Sequence, residues 1–395
     1  MANVYRPRAG TVFRVRGIPT NWDASQTESI LAEHYGPTSA PTVQSLAQEV
    51  HRRSQTATFT FLHDVSMPMV NRPNGVWRVP LPKSLSGRRA NQYLILDTDF
   101  HGITTLFTPP VDQHKLDVIA ISGIGGHAFG SFKERGGDHM WLRDSLPLDL
   151  TLGDTDRPIS RVMTYGFEST MAESRSVQSL EDLATSFRDS ILTIVGDTVP
   201  RPVIFIAHSL GGLIVKEMLI LLSKSKSEDG LRLFQAVAGI LFFGVPHDGI
   251  DISSFILMVG DGPNRSLVES LSSENSHVLG TQRTSFYRAM TEGHGCEIVC
   301  FYETDRSPTA TREHDGVWKM TGPAVTLVSK ASATHCRPWE DSPEHACAIA
   351  RTHSDMVKFG PEDHEYDKVC DRLRSLARRS LLRWEAIRSG PPSSI

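Results

Sequence analysis

The 395-residue sequence has few cysteines, no strong excess of either charge and no internal repeat, and each absence excludes a class of protein. The cysteines are odd in number and lie in the last part of the chain: Cys296, Cys300, Cys336, Cys347 and Cys370. Such a set is not the disulfide framework of a small secreted domain, and reduced thiols fit it better. A formal net charge of −4 gives no overall attraction to nucleic acid or to an anionic membrane. The missing repeat excludes a solenoid.

Long apolar segments are also missing. The best run, residues 213–222, is interrupted by Lys216 and Glu217 and is too short to cross a bilayer. The N-terminal residues, MANVYRPR, lack the apolar centre of a signal peptide. We therefore expect a cytoplasmic protein, and association with an organelle stays open.

Ser209 stands at the centre of the most informative segment, residues 202–216, which reads PVIFIAHSLGGLIVK. The apolar residues before the serine suit a strand covered on both faces of a parallel sheet, and apolar residues at helical spacing follow it. A serine at the turn between such a strand and helix is typical of a nucleophile elbow, which lifts the hydroxyl above the sheet. Ala207 and Gly211 provide the small residues that this tight turn requires. The pattern predicts that Ser209 is a nucleophile.

A glycine-rich segment, SGIGGH, follows an earlier apolar strand at residues 116–121. Loops at this place donate a backbone N–H to the oxyanion hole beside a nucleophilic serine. We expect the N–H groups of Leu210 and Ile124 to bind the oxyanion. The segment lacks the glycine spacing and the lysine of nucleotide-binding loops. Five residues are expected to border the substrate: Gly123, Gly125, His208, His247 and Phe255.

Two later positions complete a nucleophile–acid–histidine order along the chain. Glu303 ends a predicted strand at residues 297–302, and His353 lies in a loop beyond another predicted strand at residues 323–329. We expect His353 to take the serine proton as general base, and Glu303 to orient the imidazole and stabilise its charged form. Asp305, two residues further on, is the alternative acid.

Three further segments have alternative interpretations. Residues 252–259 predict an apolar helix that belongs either to the core or to a lid over the serine. The C-terminal segment predicts a basic amphipathic helix, which docks on a sheet or lies on a membrane, so peripheral membrane contact stays open. Four residues are candidate metal ligands: His335, Cys336, His345 and Cys347. Their spacing matches no zinc motif, so we expect no metal, and we expect no organic cofactor either.

The first part of the chain predicts a small αβ unit at residues 1–105, followed by a proline-containing linker at residues 106–115 and a second domain at residues 116–395. Its strands are predicted at residues 11–19, 43–50, 56–62 and 93–96, with a helix at residues 26–34. This order is RRM-like, that is, similar to an RNA-recognition motif. The positions where such domains stack bases on aromatic rings hold other residues: Arg14, Thr56 and Thr58. We expect an accessory domain without nucleic-acid binding, and a protein partner bound through it stays open.

Six motifs carry a resemblance to a known family: ISGIGGHAFGSF (121–132), MWLR (140–143), IAHSLGGLIVK (206–216), LFFGVPHDG (241–249), CFYET (300–304) and HSDMVKF (353–359). With these motifs the chain resembles a fungal α/β-hydrolase family related to serine active site-containing proteins and to GPI inositol-deacylase-like lipases. The resemblance implies an α/β-hydrolase fold, in which helices flank a mostly parallel central sheet.

The resemblance also implies a serine esterase or lipase-like hydrolase, with Ser209, Glu303 and His353 as catalytic residues. Its substrate would be a small-molecule or lipid ester, cleaved through an acyl-enzyme. Two alternatives stay open: a thioesterase or secondary-metabolite esterase, and a non-catalytic interaction or signalling module with the same fold.

Overall fold

The computed structural model describes residues 4–8, 10–68, 75–82, 93–151, 156–195, 201–274, 277–291, 294–314, 316–337 and 342–389. The N-terminal unit comprises β1 (Val4–Tyr5), β2 (Val12–Ile18), α1 (Ala24–Tyr35), β3 (Pro41–Gln48), β4 (Gln55–Phe61), β5 (Met67–Pro68), β6 (Trp77–Pro80) and β7 (Tyr93–Asp97). Five of these strands form an antiparallel sheet in the order β3-β4-β2-β7-β6. All four strands predicted from the sequence are present as β2, β3, β4 and β7, with ends shifted by one or two residues.

Alternation along β4 separates the two faces of this sheet. Phe59 and its same-face neighbours form a core with Phe13 and Trp77, in which the rings of Phe13 and Phe59 stack with centroids 5.4 Å apart. On the opposite face Thr56 and Thr58 are buried. This alternation is the period-two pattern of a strand that is covered on both sides.

The second face of the N-terminal sheet is covered by the rest of the chain. Arg14 is buried there, and its guanidinium donates to the Asp97 carboxylate at 2.8 and 3.0 Å. The same guanidinium donates at 2.7 Å to the hydroxyl of Thr104, which lies in the next strand along the chain. The face on which RNA-recognition domains stack bases is therefore buried against the larger unit. The RRM-like character of the unit stays a prediction.

The larger unit contains the remaining strands and helices. They are β8 (Gly102–Phe107), β9 (Leu116–Ile121), α2 (Trp141–Asp144), α3 (Leu146–Asp149), β10 (Ser160–Gly166), α4 (Leu180–Val195), β11 (Val203–His208), α5 (Leu210–Ser223), α6 (Glu228–Ala236), β12 (Val237–Phe243), α7 (Ser253–Val259), α8 (Arg265–Glu269), α9 (His277–Ala289), β13 (Glu297–Glu303), β14 (Ser307–Pro308), β15 (Thr311–Arg312), β16 (Trp318–Lys319), β17 (Ala324–Val325), α10 (Lys330–Thr334), β18 (Ala346–Ile349) and α11 (His364–Ser389).

Seven of these strands form one sheet in the order β18-β13-β12-β11-β9-β10-β8. Neighbouring strands are parallel except for β8, which runs antiparallel to β10. Apolar side chains of α4, α5, α6 and α9 pack on one face of the sheet, and those of α2, α3 and α11 pack on the other. This strand order with helices on both faces is the α/β-hydrolase fold, so the predicted fold class is confirmed.

The domain boundary predicted after residue 105 does not coincide with the end of a structural element. Residues 102–107 belong to the large sheet as β8, so the domain boundary predicted after residue 105 falls inside a strand. The division into two domains stays a prediction.

Residues 323–329 were predicted as a strand of the sheet, but only Ala324–Val325 is extended, in a small pair with β14. The last parallel strand is instead β18, which pairs with β13. The prediction failed because the backbone of 327–328 folds over the end of β13 and binds a side chain there.

Candidate active site

Ser209 sits at the turn between β11 and α5 with φ 52° and ψ −126°, a backbone conformation that is strained for a residue with a side chain. Its N–H donates to the carbonyl of Phe243 at 2.9 Å, which fixes the turn to the neighbouring strand. A Cβ on Gly123 would lie 2.6 Å from the Ser209 Cβ, so only glycine permits the loop after β9 to approach the serine this closely. The strained turn between β11 and α5 therefore holds the Ser209 hydroxyl at the C-terminal edge of the sheet, as the sequence pattern predicts.

Gly211 is the tightest contact between α5 and β9, because a Cβ there would lie 2.5 Å from the Ser122 carbonyl oxygen and 2.8 Å from that of Ile121. We expect Gly211→Ala to lower the free energy of unfolding by about 1–3 kcal/mol, since backbone atoms cannot move aside as a side chain can. The measurement is chemical denaturation. The matched control is Gly280→Ala in α9, where a Cβ meets nothing within 4 Å and should be neutral or stabilising. Equal stability of the two variants would contradict this packing.

Glu303 and His353 form a close hydrogen-bonded pair. The His353 Nδ1 and the Glu303 Oε2 are 2.6 Å apart, and the side chain of Glu303 is fully buried. The other carboxylate oxygen, Oε1, accepts from the N–H groups of Leu327 and Val328 at 2.8 and 3.2 Å. Three hydrogen bonds therefore fix the carboxylate, and because Nδ1 of His353 is engaged by Glu303, Nε2 is the ring nitrogen left for the serine.

The backbone of the His353 loop is held from two sides. The His353 N–H donates to the Ser307 hydroxyl at 2.8 Å, and the His208 Nε2 donates to the His353 carbonyl at 2.9 Å. Burial, followed by the nearby His353, holds the pKa of His208 well below its usual value, so its imidazole is neutral. The Trp141 Nε1 donates to the Val357 carbonyl at 2.9 Å further along the loop. These contacts make His353 a positioned side chain on an ordered loop.

A cavity of about 540 Å³ opens at this edge of the sheet and brings most of the predicted site together. It is lined by Ser209, His353 and four of the five residues expected to border the substrate: Gly123, Gly125, His208 and Phe255. Of the two expected oxyanion donors, Ile124 also lines it and Leu210 does not. Residues that sequence reasoning missed line it too: Ser131, Met171, Met258, Met320 and Lys358.

His247 does not border the cavity, and the prediction that it does was wrong. It is fully buried, with its ring beside Phe242 and its Nδ1 3.2 Å from the Lys216 Nζ. The turn after β12 directs the side chain this way, since the His247 N–H donates to the carbonyls of Val245 and Ser332. Burial, with a smaller contribution from Lys216, holds the pKa of His247 well below its usual value.

The alternative acid, Asp305, lies beyond the end of β13. It is exposed, and its backbone N–H donates to the Arg351 carbonyl at 3.3 Å. Glu303, in contrast, is buried against the imidazole of His353. The geometry therefore favours Glu303 over Asp305.

The apolar segment 252–259 contains α7, which forms a wall of the cavity. Phe255 and Met258 face the cavity, whereas Leu257 is 68% exposed. The helix packs in a small apolar cluster with Met171 and Val268, and its Phe255 also packs against the main core on the sheet. Both interpretations left open by the sequence therefore stay predictions, and the lining by Phe255 and Met258 supports a position over the serine.

The described residues provide neither a metal centre nor a membrane span. No group of three or more His, Cys, Asp or Glu side chains within them is arranged to hold a metal ion. None of the helices described is both long enough and apolar enough to cross a membrane. The predicted C-terminal helix is present as α11 and packs on the sheet through Val369, Leu373 and Leu376.

Comparison with known proteins gives distant matches. No protein-family model matches the chain. Protein SERAC1 from Bos taurus is 27% identical over 205 residues, which cover 48% of this chain and 30% of SERAC1. SERAC1 from Danio rerio is 30% identical over 164 residues, which cover 37% of this chain and 24% of that protein. The chain thus aligns with less than a third of the length of these relatives.

Among solved structures, the mature lipase BlEst2 from Bacillus licheniformis is 11% identical with a TM-score of 0.40, covering 65% of this chain and 92% of the lipase. Phospholipase PlaB from Legionella pneumophila in complex with thio-NAD is 16% identical with a TM-score of 0.34, covering 48% of this chain and 37% of PlaB. The strand order of the chain itself, and not these scores, establishes the fold.

The protein is thus an α/β-hydrolase-fold protein, and it is distantly similar to SERAC1. The narrower resemblances, to a fungal family and to GPI inositol-deacylase-like lipases, stay predictions.

Proposed function

We propose that the protein is a serine hydrolase that cleaves carboxylic esters with an apolar acyl group. The observation that carries the proposal is a cavity lined by both the strained Ser209 and His353, whose Nδ1 lies 2.6 Å from the Glu303 carboxylate behind it. The chain order of serine, acid and histidine matches that of this fold, which supports the assignment of all three as catalytic residues.

In the proposed reaction, the Ser209 Oγ attacks the ester carbonyl carbon while the His353 Nε2 takes the hydroxyl proton. The C–O bond to the alcohol then breaks, and His353 transfers that proton to the leaving oxygen. Water attacks the resulting acyl-enzyme, gives one proton to His353, and releases the acid as the proton returns to Ser209. Glu303 keeps Nδ1 of the imidazole protonated and stabilises the imidazolium that forms twice in the cycle.

Backbone N–H groups are proposed to stabilise the oxyanion. Leu210 is the first residue of α5, so its N–H lies outside the hydrogen-bond ladder of the helix. In the loop after β9, the N–H groups of Gly125 and Gly126 already donate to the carbonyls of Ser169 and Gly123. We therefore assign the second oxyanion donor to the backbone N–H of Ile124, a residue that lines the same cavity as Ser209.

The side chains over the serine support the proposal that the acyl group is apolar. One part of the cavity is lined by large apolar residues from the loop after β12, α7 and the segments before α10: Ile250, Phe255, Met258, Met320, Leu327 and Val328. Burial of each methylene of an acyl chain against such a wall contributes about 0.8 kcal/mol. The geometry fits an ester, a thioester and a secondary-metabolite ester equally.

A chain-length series of p-nitrophenyl esters tests the proposed function. We expect kcat/KM to rise by up to about 15-fold for each added pair of fully buried methylenes from acetate to octanoate, until the chain fills the cavity. The matching thioesters establish which acyl bond is preferred. Absence of turnover for every ester and thioester with folded protein would contradict the proposal and favour a non-catalytic module.

A further inference from the structure

Lys358 is the only Lys, Arg, Asp or Glu among the described residues that line the cavity. Its side chain is largely buried, with 17% of its surface exposed. A lysine placed in a cavity that has no acidic lining residue is costly to desolvate unless an anion approaches it. Neither the oxyanion hole nor the proposed triad uses this lysine.

Lys358 shares its nearest carboxylate with a second cation. The Lys358 Nζ lies 3.2 Å from the Asp355 Oδ1, and the Arg135 guanidinium donates to the same oxygen at 2.6 and 3.0 Å. One carboxylate is thus shared by two cations, and these three groups carry a net charge of +1. An ammonium has three N–H donors, and Asp355 engages one of them, so further donors remain for a ligand.

The cavity lining is polar where the segments around Lys358 contribute to it and largely apolar elsewhere, apart from Ser169 and Thr170. The Arg135–Asp355 ion pair ties the segment after the oxyanion loop to the loop that carries His353. These two segments contribute Ser131, Ser354 and Lys358 to the lining. The apolar side chains come from other elements, among them α7 and the residues before α10. An amphipathic substrate fits such a division better than a uniformly apolar one does.

Lys358 lies on the loop of the histidine that would protonate the leaving alcohol. It follows His353 by five residues and lines the same cavity. The pKa of His208, whose ring lies 4.9 Å from that of His353, is lowered chiefly by burial and by His353, with a smaller contribution from the charge of Lys358. In the proposed reaction His353 protonates the leaving oxygen. A cation beside this histidine therefore faces the alcohol part of the ester and not the acyl chain.

We propose that Lys358 binds an anionic group, such as a phosphate, on the alcohol part of the ester. This inference rests on the proposed function and specifies its substrate class: an apolar acyl chain joined to an anionic leaving group. A charge-assisted hydrogen bond to the lysine would bind that group.

Matched substrates that differ by one phosphate test the inference. The pair is 1-octanoyl-glycerol 3-phosphate and 1-octanoyl-glycerol, both assayed with wild type, Lys358→Met and Lys358→Arg. We expect wild type to prefer the phosphorylated ester, and Lys358→Met to reduce the ratio of the two kcat/KM values by on the order of 10- to 100-fold. Lys358→Arg should keep most of the preference, because it keeps the charge. The control Lys368→Met removes a lysine on α11 that does not line the cavity, and should not change the ratio.

A second pair, S-octanoyl phosphopantetheine and S-octanoyl pantetheine, distinguishes a glycerol phosphate from a carrier phosphate as the source of the anion. A substrate preference that Lys358→Met leaves intact, or no preference in wild type, would overturn the inference while the proposed hydrolase function stands. Absence of turnover of all four substrates and of the p-nitrophenyl esters by wild type would overturn both. If Lys358→Met does not fold, Lys358→Gln takes its place in the same measurement. A preference that Lys358→Gln leaves intact overturns the inference, and its loss in Lys358→Gln together with its retention in Lys358→Arg supports it.

Discussion

Replacing Ser209 by alanine is expected to lower kcat/KM for a hydrolysed ester by on the order of 10⁴- to 10⁶-fold, because the variant lacks the only proposed nucleophile. Alanine keeps the Cβ that packs against Gly123, so the elbow gains no new contact and the free energy of unfolding should change little. The measurement is steady-state kinetics on p-nitrophenyl octanoate, combined with chemical denaturation of both proteins.

Ser223→Ala is the matched control for this variant. Ser223 ends α5, and its hydroxyl donates to the Ile220 carbonyl at 2.8 Å without bordering the cavity. We expect wild-type kinetics from it. Turnover by Ser209→Ala within a few fold of wild type would show that another group attacks the ester.

Replacing Glu303 by glutamine is expected to lower kcat/KM by on the order of 10⁴-fold, because the replacement would change which ring nitrogen of His353 carries the proton. The amide oxygen of glutamine would accept from the Leu327 and Val328 N–H groups, as Oε1 does now. Its NH₂ group would then point at the His353 Nδ1, which must become the acceptor. The imidazole proton would move to Nε2, and that nitrogen would no longer accept the serine proton.

Asp305→Asn is the comparison for this variant, since Asp305 was the alternative acid in the sequence. Its side chain is exposed, and Glu303 holds the imidazole, so we expect kcat/KM to stay within a few fold of wild type. The measurement is kcat/KM for both amide variants over the same ester series. A large loss from Asp305→Asn with a mild effect of Glu303→Gln would reverse the assignment of the acid.

The parts of the fold that local patterns specify were predicted from the sequence. The apolar run of β11, the small residues around Ser209 and the helical spacing of α5 lie within about twenty residues, so one segment contains the whole elbow. Strands buried on both faces, such as β9 and β12, are recognised by the same continuous apolar pattern. Chain order, the strand-end position of Glu303 and the resemblance of the CFYET and HSDMVKF motifs together suggested that Glu303 and His353 meet.

What the sequence did not reveal depends on contacts between distant segments. His247 occupies a strand end, as catalytic residues often do, but its turn directs the ring into the core beside Lys216. The short strand β18 has little apolar pattern of its own and is specified by pairing with β13. Leu327 and Val328 bind Glu303 through backbone N–H groups, and no side-chain type signals such a role.

Labelling with a fluorophosphonate tests the central claim most directly, because this reagent reacts with a serine only when a general base activates its hydroxyl. The native protein is incubated with the reagent, and the modified residue is identified by peptide mass spectrometry. We expect one adduct per chain, on Ser209, and its loss after heat denaturation or in His353→Ala. Folded wild-type protein that stays unlabelled, or that carries the adduct on another serine, would contradict the assignment of Ser209 as an activated nucleophile.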